Sequence, residues 1–184
     1  TEEITRLPVP AHSEIVLAGW SRPGEVRYDE GPFGEWTGYY ASREQPTPVV
    51  DVERIYYRSD PIILGAPPSR PPGGNTIFRS LIRSALLHNQ LVESGLPGVR
   101  GVWQSELGGS RLLLIISINQ KYAGHARQAA MFASQSPLAA FMGRYVIVVD
   151  EDIDPTNIND VLWAMLTRSD PEIDVEIVRR AWSS

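Results

Sequence analysis

Cysteine is absent from all 184 residues. That excludes disulfide staples, thiolate metal ligands and thiol nucleophiles. No apolar run reaches membrane-spanning length and no signal-peptide pattern is present, so a soluble, cytoplasmic protein with no membrane partner is expected. Basic blocks are missing too. Lys and Arg number 17 against 22 Asp and Glu, a formal net charge of −5, which disfavours nucleic acid as a partner. The three histidines, His12, His88 and His125, lie far apart and lack zinc-ligand spacing. No glycine-rich dinucleotide fingerprint or phosphate-cradling loop occurs. What is there is ordinary for a globular protein: 42% apolar and 21% charged residues, in a chain long enough to bury a core.

Hydrophobic periodicity divides the chain. Residues 1–65 read as mostly β. Residues 14–19 form a short apolar strand, and residues 49–57 alternate with period two. Between them, residues 22–48 are rich in Gly, Pro and aromatics and too punctuated for a helix, the kind of long segment that is functional or disordered. Residues 66–75 are a Pro/Gly-rich connector. Beyond it, Asn75 or Thr76 caps a helix from about Ile77 to Glu93 with Ile77, Leu81, Ile82, Ala85, Leu86 and Val92 as its apolar stripe, stopped by Gly95. Strands at 99–106, 112–118 and 145–149 alternate with helices at about 124–135 and 159–168. A hairpin turn at Gly108-Gly109-Ser110 joins the first two strands, and the rest forms a right-handed strand–helix–strand crossover. The last two of these strands read as fully buried. The expected class is α+β, with a small α/β domain over residues 76–184. The missing initiator Met and an ending just after the strand-like Val175-Glu176-Ile177-Val178 lead us to expect a piece of a longer chain.

Three stretches could carry chemistry. Glu30-Gly31-Pro32-Phe33-Gly34-Glu35-Trp36 places two carboxylates around a turn. Brought to one site, two such acids resist simultaneous ionisation, so one can keep a proton and act as a general acid. Phe33, Trp36, Tyr39 and Tyr40 could exclude water or stack on a flat ligand. The bland alternative is a pair of solvated loop acids over packed aromatics. Lys121 to Arg127 follows a strand and opens a helix, which suits an anion, although a plain turn with surface basic residues accounts for it better. Asp150-Glu151-Asp152-Ile153-Asp154 clusters oxygen ligands without calcium-loop spacing and reads as a solvated edge. We assign no metal ligands.

The string Glu30-Gly31-Pro32-Phe33-Gly34-Glu35 with Gly38-Tyr39-Tyr40 resembles the signature of the UbiD family of decarboxylases. Residues 10–17 resemble that family's lead-in strand. Gln120-Lys121-Tyr122-Ala123-Gly124-His125-Ala126 resembles a second family motif. Asp160-Val161-Leu162-Trp163-Ala164 with Thr167-Arg168 resembles a third. Together they span nearly the whole chain in the family's order.

The resemblance implies a reversible, non-oxidative carboxy-lyase for aromatic or α,β-unsaturated carboxylic acids. It would work through a covalent adduct of prenylated FMN, with Mn2+ and K+, and exchange CO2. It implies Glu35 as the proton donor and Glu30 as a supporting acid that pairs with an arginine. Trp36 would line the substrate pocket, with Asn75 and Arg79 as looser candidates for substrate contact. The cofactor-binding residues stay unknown. Residues 1–65 would be the closing half of a flavin-reductase-like split β-barrel, and residues 76–184 an oligomerisation region. Family members are more than twice this long, and their arginine, metal ligands and most cofactor-phosphate contacts lie upstream of Thr1. The chain alone is therefore expected to be inactive, to hold no cofactor and to self-associate into homo-oligomers. The alternative is a non-catalytic assembly subunit.

Overall fold

Alternating and β-branched residues make four short strands near the start of the chain: β1 (Ile15–Trp20), β2 (Arg27–Glu30), β3 (Gln45–Pro48) and β4 (Asp51–Tyr57). In this computed structural model residues 1–24, 27–40 and 43–181 are described, with the backbone alone at residue 27. The strands pair as two antiparallel ribbons, β1 with β4 and β2 with β3. The segment 22–48 is thus organised by a ribbon. Its strand character was hidden by Pro46 and Pro48, which edge strands tolerate because one row of backbone groups needs no partner. Contacts divide the chain into Thr1–Ser69 and Arg70–Ser184, a division that falls inside the Pro/Gly-rich connector.

Thr1–Ser69 has very little core. Among its described residues Ala18 is the only buried apolar side chain. One face of the β1–β4 ribbon carries the cross-strand pairs Ile15–Tyr57 and Leu17–Ile55, all exposed. The other face is covered by the first turns of the chain. There Glu2, 5% exposed, accepts hydrogen bonds from the N–H groups of Ile4 and Thr5 and from the hydroxyls of Thr5 and Tyr56.

Arg70–Ser184 is layered. A three-stranded sheet has the order β5 (Val99–Gln104), β6 (Leu113–Ile118), β7 (Tyr145–Asp150), with β6 antiparallel to β5 and parallel to β7. Central β6 is apolar almost throughout because helices cover both its faces. Leu114, Ile116 and Ile118 pack with Leu87 and Leu91 of α1 (Gly74–Glu93), Ala129 and Ala133 of α2 (His125–Ser134) and Ala139 of α3 (Pro137–Ala140). On the opposite face Ile115 packs with Val149, Ile153 and, from α4 (Ile158–Arg168), Val161 and Ala164. The molecule is α+β. No helix among the described residues is long and apolar enough to cross a membrane.

Four expectations need correction. Helix α1 starts at Gly74 and is capped by Gly73: the Thr76 hydroxyl accepts from the Gly73 N–H and donates to its carbonyl, both at 2.7 Å. Its buried face is also not the apolar stripe. Leu81 and Leu86 are 56% and 51% exposed, whereas Ser80, Ser84, Leu87 and Leu91 are buried. Small hydroxyls admit the close approach of β5: Ser84 Oγ accepts from the Gln104 N–H at 2.8 Å, satisfying a buried backbone donor. Strand β7 is half-buried rather than fully buried, with Tyr145 exposed, because it pairs on one side only. Residues 175–178 form no strand. Instead Arg127 bonds the Ile173 carbonyl at 3.2 Å and pairs with Glu176 at 2.8 Å, holding this segment as an exposed strap.

Candidate active site

Glu30 is the last residue of β2, and its carboxylate accepts a hydrogen bond from the Thr47 hydroxyl at 3.1 Å. Glu30 faces Gln45 across the ribbon, so Thr47 is its diagonal neighbour on the same face. Sequence reasoning missed Thr47. Its signal was the alternation of Gln45-Pro46-Thr47-Pro48, legible only once β3 is recognised as a strand.

Glu35 sits in the following reversal. Gly34 pairs with Tyr40. The Glu35 N–H donates to the Tyr39 carbonyl at 3.0 Å, and the Gly38 N–H donates to the Glu35 carbonyl at 2.9 Å. Gly31 and Gly38 have φ of +99° and +94°, a region costly for residues with a Cβ, so the two glycines let the chain turn on either side of Glu35. The Glu35 side chain is half-buried, and its carboxyl makes no hydrogen bond among the described residues. Trp36 is half-buried, while Phe33, Tyr39 and Tyr40 are exposed rather than packed beneath the loop. The two carboxylates share a loop but no hydrogen bond. The turn holds Glu30 by its ribbon and leaves Glu35 available.

The other candidates resolve differently. Asn75 and Arg79 lie exposed in the first turns of α1. Lys121 is exposed, but His125 is 0% exposed, so it is no surface base. Its Nδ1 accepts from the Lys121 N–H at 3.3 Å, and Tyr122 lies against its ring at 4.6 Å between centroids, which fastens the turn ahead of α2. Of the acids at the end of β7 and just beyond it, Asp150, Glu151 and Asp152 are held by cations, and Asp154 accepts from the N–H and hydroxyl of Thr156. Arg168 grips Asp152 with two bonds of 2.8 Å and Asp150 with one of 3.0 Å. Those bonds, Asp152 first, raise the Arg168 pKa, and Arg168 lowers that of Asp152. Glu151 takes Asn119 and Arg100.

A manganese centre asks for several oxygen donors together. Among the described residues no group of three His, Asp or Glu is placed to hold an ion, so these residues do not fit one by themselves. A flat ring is a better fit, since three exposed aromatics stand on the loop of Glu35.

Residues 1–71 match the 3-octaprenyl-4-hydroxybenzoate carboxy-lyase Rift-related domain, and residues 76–184 match the C-terminal domain of the same enzymes. The UbiD-class enzyme HmfF from Pelotomaculum thermopropionicum, in an evolved dimeric form in complex with prFMN, is 33% identical. That match covers 94% of this chain and 38% of its own, with a TM-score of 0.77. Vanillic acid decarboxylase from Sedimentibacter hydroxybenzoicus is 34% identical over 96% of this chain and 36% of its own, TM-score 0.81. The apo 3,4-dihydroxybenzoic acid decarboxylase of Klebsiella pneumoniae is 27% identical over 87% of this chain and 34% of its own, TM-score 0.69. This chain therefore spans less than two fifths of each of those three. With both of its units matched to consecutive domains of one enzyme group, the chain belongs to the UbiD family of carboxy-lyases.

Proposed function

We propose that this chain supplies the proton donor of a reversible, non-oxidative decarboxylase for aromatic or α,β-unsaturated carboxylic acids. The observation that carries the reading is the state of Glu35: half-buried, fixed through its backbone, with a carboxyl that no described side chain engages. Such a group can hold a proton at a defined place and release it. When the bond to the substrate carboxylate breaks, CO2 leaves and the electron pair stays on the carbon. Glu35 then gives its proton to that carbon, and the reverse sequence carboxylates. Prenylated FMN, the group bound by the HmfF relative, supplies the sink for that electron pair when bound. Phe33, Tyr39 and Tyr40, exposed on the same loop, offer faces for a flat ring. Glu30, held by Thr47, supports the loop. Trp36 lines the substrate pocket, and Asn75 and Arg79 are the candidates for substrate contact from α1. Mn2+ and K+ enter no step derived from these residues.

The test is Glu35→Gln in an active enzyme that contains this chain. Turnover falls by about 10²–10⁴-fold, the usual worth of a positioned general acid, while flavin absorbance of the purified protein is kept. Retained turnover would end the assignment. A second reading, an assembly subunit with an idle glutamate loop, is favoured by the thin core of Thr1–Ser69. Co-purification followed by native mass spectrometry separates the two: a partner chain that completes a flavin-binding enzyme with this one supports the first, and stable homo-oligomers with no such partner and no flavin support the second.

A further inference from the structure

Strand β7 is an open edge of the sheet in Arg70–Ser184. Its ladder to β6 is parallel and runs without a register shift. The Tyr145 N–H donates to the Leu112 carbonyl at 2.9 Å, which sets the phase of that ladder. Tyr145, Ile147 and Val149 bond inward to β6, and the backbone groups of Val146 and Val148 point away from it. Among the described residues those outward N–H and carbonyl groups have no partner. Sheet edges are ordinarily blunted by a charge, a proline, a bulge or a covering group. The opposite edge, β5, carries such devices. Its register shifts between Val99 and Gly101, Arg100 puts a charge on it, and the Gln104 N–H donates to Ser84. From Tyr145 to Val149, β7 has none of them: the run is Tyr-Val-Ile-Val-Val.

The strand-like residues 174–178 of the same chain do not suit this edge. They are held elsewhere, by Arg127. Helices α2 and α4 pack on opposite faces of the sheet. Crossovers of one hand on opposite faces run in opposite directions, so a strand following α4 is carried away from β7. A second β7 does suit it. Antiparallel and centred on Ile147, it sets Val146 opposite Val148 of the second copy, and by symmetry the reverse, so the outward groups satisfy one another. The same register sets Arg144 opposite Asp150 of the second copy at both ends of the pair. Among the described residues Arg144 forms no ion pair. Asp150 stays more than half exposed beside Arg168, whose two-bond grip is on Asp152. Tyr145, exposed in one copy, comes opposite Val149 of the other, a favourable aromatic and β-branched pair.

We propose that this chain pairs with a second copy of itself through β7, antiparallel about a two-fold axis at Ile147, making one continuous sheet across the two copies. The same patch serves on both sides, so the contact closes at a dimer and leaves no open end for a filament. Charge chooses the register: centring the pair one residue earlier sets Arg144 against Val148 and loses both ion pairs. The interface uses neither Glu35 nor the exposed ribbon of Thr1–Ser69, so it stands apart from the catalytic reading above.

The test follows amide hydrogen exchange of the full chain at low and high concentration. The Val146 and Val148 N–H groups exchange at least about tenfold more slowly at high concentration. Arg144→Glu, at an exposed position, sets like charges opposite each other and raises the concentration at which that protection appears about tenfold. Register is read by a single introduced thiol, since the chain has no cysteine of its own. Ile147→Cys, on the axis, closes a disulfide with its counterpart on diamide oxidation, because residues opposed in a non-hydrogen-bonded pair lie about 4.5 Å apart at Cα. Tyr145→Cys, although more exposed, does not, because its counterpart is displaced along the strand. Exchange at Val146 and Val148 that is indifferent to concentration, or equal disulfide yields at the two positions, overturns the interface. Protection that appears only with a co-purified chain assigns the edge to a different partner and overturns the second copy. No readout needs flavin or turnover, so failure here and failure of Glu35→Gln to abolish activity are separate results.

Discussion

Two glutamates near the start of the chain show how surroundings assign a role to one residue type. Glu35 is a carboxyl without a described partner. Glu2 is the reverse. Burial by itself pushes the Glu2 pKa up, but the N–H groups of Ile4 and Thr5, then the hydroxyls of Thr5 and Tyr56, outweigh it and hold the value at about 2. The unfolded chain has the ordinary value of 4.5. A carboxylate depressed in the fold stabilises it fully above pH 4.5, and that support is lost as the pH falls toward 2. We expect Glu2→Gln to lower the urea midpoint at pH 7, with the gap to the parent chain closing as the pH approaches 2. A gap independent of pH would show that the hydrogen bonds, and not the charge, hold the first turns to β4.

At the scale of elements, α1 sets the sharpest test. Its more apolar face points outward, and its inner face is a mixture of serine and leucine. Leu87→Ala should destabilise Arg70–Ser184 by about 2–5 kcal/mol, the usual cost of a core cavity. Leu81→Ala, on the stripe that periodicity selects, should stay within about 0.5 kcal/mol. Chemical denaturation of the two variants decides between the faces, and equal losses would mean that Leu81 is covered too. The exposed stripe carries no such energy in this chain and remains available to a covering surface.

Across the whole molecule the two units differ in kind. Arg70–Ser184 has apolar clusters on both faces of its sheet. Thr1–Ser69 leaves the Ile15–Tyr57 and Leu17–Ile55 pairs in solvent, along with Ile62, Ile63 and Leu64. An apolar ribbon of this kind associates with whatever can cover it. Sedimentation velocity should therefore find self-association that rises with concentration, and Leu17→Thr with Ile55→Thr should shift the distribution toward monomer. A parent chain that stays monomeric at high concentration would contradict this.

Much of this was legible in the residues because local pattern and chemistry decided it. The continuous apolar run of β6 announced a strand covered on both faces. A short apolar run marked β1 and period two marked β4, and Gly95, with φ of +87°, ended α1 where a glycine was expected to end it. The spacing of Glu30, Glu35 and their glycines named the loop, and the motifs named the family. The inner face of α1 was not legible, because periodicity ranks side chains by hydrophobicity. Close approach to β5 instead selected small hydroxyls that could satisfy its backbone. Nor could spacing separate His125 the buried fastener from His125 the surface base, or the acids after β7 as ligands from the same acids held by Arg168. Those choices depend on which distant groups come within hydrogen-bond reach, and only the folded chain brings Arg168 to Asp152, Thr47 to Glu30 and Arg83 to Leu138.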